Sequence, residues 1–200
     1  MDEKILRKIG YGLYVLTANE NGRDNGCIIN TFMQVTGQPP RVSAAVNKGN
    51  YTHDLIMRTG CFNVSIISQE ADFQLFKRFG FASGRDTDKF AGFDKTVRCE
   101  NGILAVTEGC CGFVSAKVFQ TVDLGTHTMF LADMTGGGDF GGAEPATYAY
   151  YHSNIKPGPQ QAKSGGWRCR ICGYVYEGEE LPPDFVCPIC KHGAADFERV

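Results

Sequence analysis

Four cysteines near the C-terminus, Cys169, Cys172, Cys187 and Cys190, stand in the run WRCRICGYVYEGEELPPDFVCPICKHG as two CxxC pairs. Each pair can close into a tight knuckle that presents two sulfurs from one side, and two facing knuckles complete a tetrahedron around one metal ion. A closed set of four thiolates leaves no open position for a reactant, so the ion either passes electrons or braces the fold. A segment this short cannot bury enough apolar surface to offset its chain entropy, and the metal supplies the staple. Spacing alone leaves zinc and iron both open.

The residues around the knuckles say more. CRICGYVYEG, then PPDFVCPIC, then DFE resemble a rubredoxin: Gly173, Tyr174 and Tyr176 follow the first knuckle, Pro188 lies inside the second, and Phe197 comes last. The resemblance covers residues 166–200. It implies one redox-active iron held by the four cysteines, with Trp167, Tyr174, Tyr176, Phe185 and Phe197 covering it. The loop between the knuckles is shorter than in free-standing rubredoxins. The alternative is a structural zinc ribbon.

Composition bounds the rest. Two hundred residues with a formal net charge of −2 and scattered Lys and Arg speak against a nucleic-acid partner. The start, MDEKILRKIGYGLYVLTA, has too short an apolar run for a signal peptide, and no later run is long enough for a membrane span. A cytoplasmic protein is expected. Five further cysteines, Cys27, Cys61, Cys99, Cys110 and Cys111, are irregularly spaced within apolar runs and read as buried thiols of a reducing compartment. Residues 153–165, within SNIKPGPQQAKSGG, read as a flexible linker between a first domain over 1–152 and the metal-knuckle domain over 166–200.

The first domain must position any further chemistry, and its pattern is mainly β. GLYVLTA at 12–18, GCIINTFMQV at 26–35, RVSAAVN at 41–47, CFNVSII at 61–67, CGFVSAKVFQTVDL at 111–124 and HTMFLADM at 127–134 read as strands. YTHDLIMRTG and QEADFQLFKRFG have helical spacing and end at Gly60 and Gly80. GGGDFGG at 136–142 reads as a mobile turn. Many strands at short spacing with few helices point to a closed or half-closed barrel. Neither GxGxxG nor GKS or GKT occurs, so a nucleotide would be held by another geometry.

The stretch from GLYVLTANENGRDNG through CFNVSII, with DKF at 88–90, GTH at 125–127 and TYAYYH at 147–152, resembles the flavin reductase family. The resemblance implies a split β-barrel that binds FMN as a homodimer and takes hydride from NADH or NADPH. With the C-terminal domain, the architecture resembles the high-molecular-weight rubredoxins of anaerobic bacteria. A flavin ring needs a flat apolar slot with backbone donors and acceptors, which the segment Asn30, Thr31, Phe32, Met33, Gln34 and Thr36 can supply. A terminal phosphate needs a cation, hydroxyls and free amides, found in Asn47, Lys48, Asn50, Tyr51 and Thr52, where a helix begins. Ser83 and Lys89 are candidates to close that site. Without the resemblance NKGNYT would be a plain helix cap with Asn50 as N-cap. The resemblance makes His127 the candidate catalytic histidine, although Thr126 departs from the family's GDH-like motif. His152 is a lesser candidate, and His53 and His192 read as surface residues.

Joined, the two halves imply an electron-transfer flavoprotein. Hydride passes from NADH or NADPH to FMN and single electrons pass to the tethered iron and on to an acceptor, for which the resemblance suggests a flavodiiron protein reducing dioxygen or nitric oxide. Two alternatives remain: a reductase that releases reduced flavin and carries a structural zinc tail, and a non-catalytic flavin or zinc adaptor.

Overall fold

Asn21 and Gly22 have φ of 51° and 84°, the left-handed pair that a two-residue hairpin turn requires. This turn joins β1 (Tyr14–Glu20) to β2 (Arg23–Ile29). The computed structural model to which they belong describes residues 5, 8–157, 166–170, 174–187 and 193–199. It divides into two compact units, Met1–Ile155 and Lys156–Val200.

In the first unit seven strands form one antiparallel sheet in the order β2-β1-β5-β8-β9-β4-β3, with β3 Phe32–Gly37, β4 Pro40–Asn47, β5 Cys61–Ile67, β8 Cys110–Asp123 and β9 His127–Asp139. The short strands β6 (Thr96–Arg98) and β7 (Leu104–Val106) pair separately. Cys27 and Ile29 of β2 share one core cluster with Val42, Ala44 and Val46 of β4, although the two strands stand near opposite ends of the sheet order. The sheet therefore curls on itself. Helix α1 (Tyr51–Thr59) contributes Leu55 and Ile56 to the same cluster and so plugs the split.

Strand β1 is apolar on both faces because both are covered. Leu16 and Ala18 face the inner cluster, while Leu13 and Val15 meet Leu75, Phe76 and Phe79 of helix α2 (Phe73–Gly80) on the other side. Asp72 caps α2 by accepting from the Gln74 amide at 2.7 Å. Gly60, at φ 68°, ends α1 as expected. A short helical turn, α3 (Tyr148–Tyr150), runs into a π-helical turn over Tyr151–Ile155, where Tyr151 lies against Phe76.

Three expectations need correction. The run 26–35 is two strands, because the chain turns at Asn30 and Thr31 to carry β3 to the far edge of the sheet. Residues 136–139 of the glycine-rich run are not a turn: they pair with residues 112–115 of β8. Glycine is needed there because a Cβ on Gly138 would lie 2.6 Å from the Phe113 ring and one on Gly137 2.9 Å from the Phe113 carbonyl. Of the five barrel thiols, Cys27 and Cys110 are buried, while Cys61, Cys99 and Cys111 are partly exposed.

In the second unit β10 (Trp167–Cys169) is flanked by β11 (Val175–Tyr176) and β12 (Phe197–Arg199). Cys169, Cys187 and Phe197 form its core, packed by Trp167, Tyr174, Tyr176, Leu181 and Phe185. No helix among the described residues is long and apolar enough to cross a membrane.

Candidate functional site

The β4–α1 connection, the tip of the β8–β9 hairpin and the loop after α2 converge around the start of α1. Asn47 ends β4 opposite His127 at the start of β9. The Lys48 amide donates to the Thr126 carbonyl at 3.0 Å, and its Nζ bonds Asp123 at 2.7 Å, which holds that exposed carboxyl below its usual range. Asn50 occupies the N-cap position, but its side chain makes no capping hydrogen bond. The His53 amide donates to the Asn50 carbonyl at 3.1 Å, so the amides of Tyr51 and Thr52 are the ones open to an acceptor from outside the helix, the arrangement that favours an anion.

The loop at 83–85 lies over this helix start. Gly84 rests on Asn25 of β2, and Asn25 Nδ2 donates to Thr52 Oγ1 at 2.8 Å. Ser83 Oγ accepts from the Arg85 amide at 3.2 Å. Arg85 pairs with Asp54 at 2.6 Å and its guanidinium lies 5.4 Å from the centre of the Tyr51 ring. Arg23 donates to the Gly84 carbonyl at 3.0 Å and lies 4.7 Å from the same ring centre. Two guanidiniums on one tyrosine, a hydroxyl and a helix start form a donor set suited to a phosphate.

Lys89 differs from the expectation. Only 4 % exposed, it turns inward and gives two of its three hydrogens to the carbonyls of Gly26 and Phe79, at 2.9 and 3.0 Å. Burial lowers its pKa, opposed by the nearby Cys27 thiol. Lys89 thus supports β2 and the end of α2 behind the donor set.

The ring candidates lie on an edge. Strand β3 ends the sheet order, so one side of its backbone faces away from the ladder. Thr31 anchors its start: the Ala45 amide donates to the Thr31 carbonyl at 3.2 Å, and Thr31 Oγ1 donates to the Ala45 carbonyl at 2.5 Å. Asn30, Thr31 and Phe32 are half-buried, with the Phe32 ring 5.2 Å from that of Tyr14, whereas Met33, Gln34 and Thr36 are exposed. His127 is half-buried and hydrogen-bonds Thr126 Oγ1 through Nδ1 at 2.9 Å. His152 meets the Tyr148 ring edge-on at 4.5 Å in the α3 region.

Sequence reasoning missed Arg23, Asn25, Asp54 and Arg85, and it misassigned His53. His53 is 7 % exposed and wedged between Asp54 and Thr128, not on the surface. The THD triplet at a helix start was its signal: a polar side chain on the inward face of α1 needs partners. His192 lies outside the described residues.

In the second unit Cys169 and Cys187, both buried, meet in one aromatic cluster, and the Cys169 amide donates to the Tyr174 carbonyl at 2.8 Å. Two soft ligands in a dry aromatic setting fit a thiolate-bound metal. Cys172 and Cys190 lie outside the described residues.

Residues 6–159 match the family model of the flavin reductase like domain, and residues 167–198 match that of the rubrerythrin, rubredoxin-like domain. A high molecular weight rubredoxin of Moorella thermoacetica is 36% identical over the whole of both chains. A ferric-chelate reductase (NAD(P)H) of Archaeoglobus fulgidus is 37% identical over 76% of this chain and 89% of its own. Among solved structures, an NADH:FAD oxidoreductase of Streptomyces globisporus superposes with a TM-score of 0.63 at 23% identity, over 73% of this chain and 88% of that one. The chain is an oxidoreductase that belongs to the flavin reductase-like family and carries a rubredoxin-like domain at its C-terminus.

Proposed function

We propose that the chain oxidises NADH or NADPH and delivers the electrons one at a time to an external acceptor, using FMN in the first unit and one iron in the second. What supports this reading most is the donor set around Tyr51, which suits the phosphate of FMN. Arg23, Arg85, Ser83 and the first amides of α1 hold the phosphate; the β3 edge from Asn30 to Gln34 lies along the ring; His127 stands by the nicotinamide. FMN, when bound, supplies the exchange between two-electron and one-electron chemistry. The thiolates of Cys169, Cys172, Cys187 and Cys190 hold the iron, and the aromatic rings around Cys169 and Cys187 keep water from it.

The acceptor we favour is a flavodiiron protein in the cytoplasm of an anaerobe. The named activity of the Archaeoglobus relative makes a ferric chelate the second choice. Two copies of the chain pair through the β3 edge and the exposed tip of the β8–β9 hairpin. The test is an anaerobic titration of the FMN-loaded protein with NADH and then NADPH, following flavin and iron–thiolate absorption together. Bleaching of both, with recovery on adding acceptor, is the expected result. Flavin bleaching with no iron band overturns the electron-transfer reading in favour of a reductase with a structural zinc tail.

A further inference from the structure

A hydrogen-bonded line of four side chains runs behind the candidate site. Arg85 bonds Asp54 Oδ2 at 2.6 Å, Asp54 Oδ1 lies 3.1 Å from His53 Nδ1, and His53 Nε2 lies 2.8 Å from Thr128 Oγ1. Arg85 belongs to the phosphate end. Thr128 immediately follows His127 and pairs with Val46, one residue before Asn47. The imidazole is therefore the link between the loop that would grip the phosphate and the strand that carries the candidate hydride-transfer histidine. It is held on three sides, since the Phe130 ring lies 5.6 Å from its centre.

The chemistry of the line fixes its directions. Burial disfavours ionised Asp54, but hydrogen bonds from His53 and Arg85 outweigh it and hold the carboxyl below its usual range. A carboxylate can only accept, so His53 carries its proton on Nδ1 and donates to Asp54. In that tautomer Nε2 is the acceptor and the Thr128 hydroxyl donates to it, which fixes that rotor. Among the described residues, Asp54 on its own helix, and Arg85 through it, are the charged groups facing the ring; β9 brings the Thr128 hydroxyl and Phe130.

We propose that His53 is a positioning residue that ties the phosphate end of the site to the nicotinamide end, Nδ1 serving the first through Asp54 and Nε2 serving the second through Thr128. The inference rests on the flavin reading above. Its two halves are separable because two amides each copy one half of the ring: asparagine places its amide near the position of Nδ1, glutamine near that of Nε2.

The experiment compares full-length wild type with His53→Asn, His53→Gln and His53→Phe. FMN affinity of each apoprotein is read by quenching of flavin fluorescence, anaerobic flavin reduction by NADH by stopped flow, and folding by circular dichroism. His53→Asn should keep FMN affinity while hydride transfer slows by about 3- to 10-fold, the worth of one hydrogen bond. His53→Gln should do the reverse, weakening FMN by about the same factor with hydride transfer kept. His53→Phe should lose both. If Asn and Gln impair both ends alike, in step with lost thermal stability, or if neither moves either readout, the link is overturned and His53 is a packing residue. If wild-type apoprotein takes up no FMN, the flavin reading itself fails and the inference falls with it.

Discussion

Gly84 stands so close to Asn25 that a Cβ on it would lie 2.0 Å from Asn25 Oδ1 and 2.6 Å from Cγ. Asn25 is buried, and its Nδ2 holds Thr52 Oγ1 at the start of α1. The absence of a side chain at one position therefore lets the loop after α2 lie directly on the strand and helix that make the candidate phosphate site. In Gly84→Ala the Asn25 amide must turn away and release Thr52, at a cost of about 1–3 kcal/mol in stability. FMN affinity should fall with it. Asn25→Ala opens the space that the new methyl needs, so the double variant should lose less than the two single losses added. Thermal melting and apoprotein titration with FMN check both statements; strict additivity would mean that the contact carries no coupling.

Most strands of the large sheet and the ends of the two main helices were legible because burial on a sheet face or a helix stripe imposes a period on the chain, and Gly60 marks a stop; β6 and β7, three residues each, are too short to show one. The rubredoxin-like domain was legible because cysteine spacing is a local property of the chain. Arg23 and Arg85 were not: Arg23 opens β2 directly after a polar turn and Arg85 stands in one, where a cation looks like a solvated side chain until the fold brings both to Tyr51. Lys89 stood out only as part of a motif, and it takes the tertiary structure to show its ammonium turned to Gly26 and Phe79. The glycines at 136–138 misled because their shortage of side chains, which usually signals a turn, here makes room for Phe113 across a strand pair.

Alkaline pH should destabilise the first unit through its thiols. Burial pushes the Cys110 thiol from 9.0 up to about 12, with smaller contributions from the neighbouring Cys111 and Glu108. Below pH 9 both folded and unfolded chains keep this proton and its contribution is fully present. Between the two values the unfolded chain releases the proton and the folded chain retains it, so stability falls by up to about 1.4 kcal/mol per pH unit. Cys27, raised by burial, adds to the fall. Lys89 opposes it: its folded pKa is lowered, so below 10.5 there is a window in which the unfolded chain binds the extra proton and stability rises with pH. Urea denaturation between about pH 8 and pH 11, followed by far-UV circular dichroism, should give a shallower decline for Cys110→Ala and a steeper one for Lys89→Met. The single tryptophan, Trp167, lies in the second unit, so its fluorescence does not report this transition.

Loss of one thiolate should separate the two sites. Cys169 and Cys187 are almost wholly buried, and metal binding at such a site is part of the folding free energy of the small unit. Cys169→Ser should abolish the iron–thiolate bands and change the emission of Trp167, whose Nε1 donates to the Glu179 carbonyl at 3.3 Å. FMN uptake and flavin reduction by NADH should stay close to wild type, while reduction of the external acceptor stops. A parallel loss of flavin reduction would show that the iron does not come after the flavin in the sequence of carriers.

The β3 edge offers the most direct test of assembly. Natural edge strands are usually guarded by charged residues or proline, because their unpaired backbone invites a second chain. FMQVTG carries no charge, and Met33 and Val35 are 61% and 46% exposed. Phe119, Val122 and Leu124 are exposed on and just beyond β8, and the Arg41 guanidinium lies 4.5 Å from the Phe119 ring centre. An unguarded apolar edge beside further apolar surface is the pattern of a covered face. Val35→Lys places a charge on that face without touching the core, so the fold should persist and the sedimentation coefficient should drop from dimer to monomer. FMN affinity should weaken in the same variant, because β3 is also the strand that lies along the flavin ring in our reading. Sedimentation velocity of the wild type and the variant, with and without FMN, checks both effects. A wild type that sediments as a monomer with FMN bound would mean that the edge stays open in solution and that one chain completes the site alone.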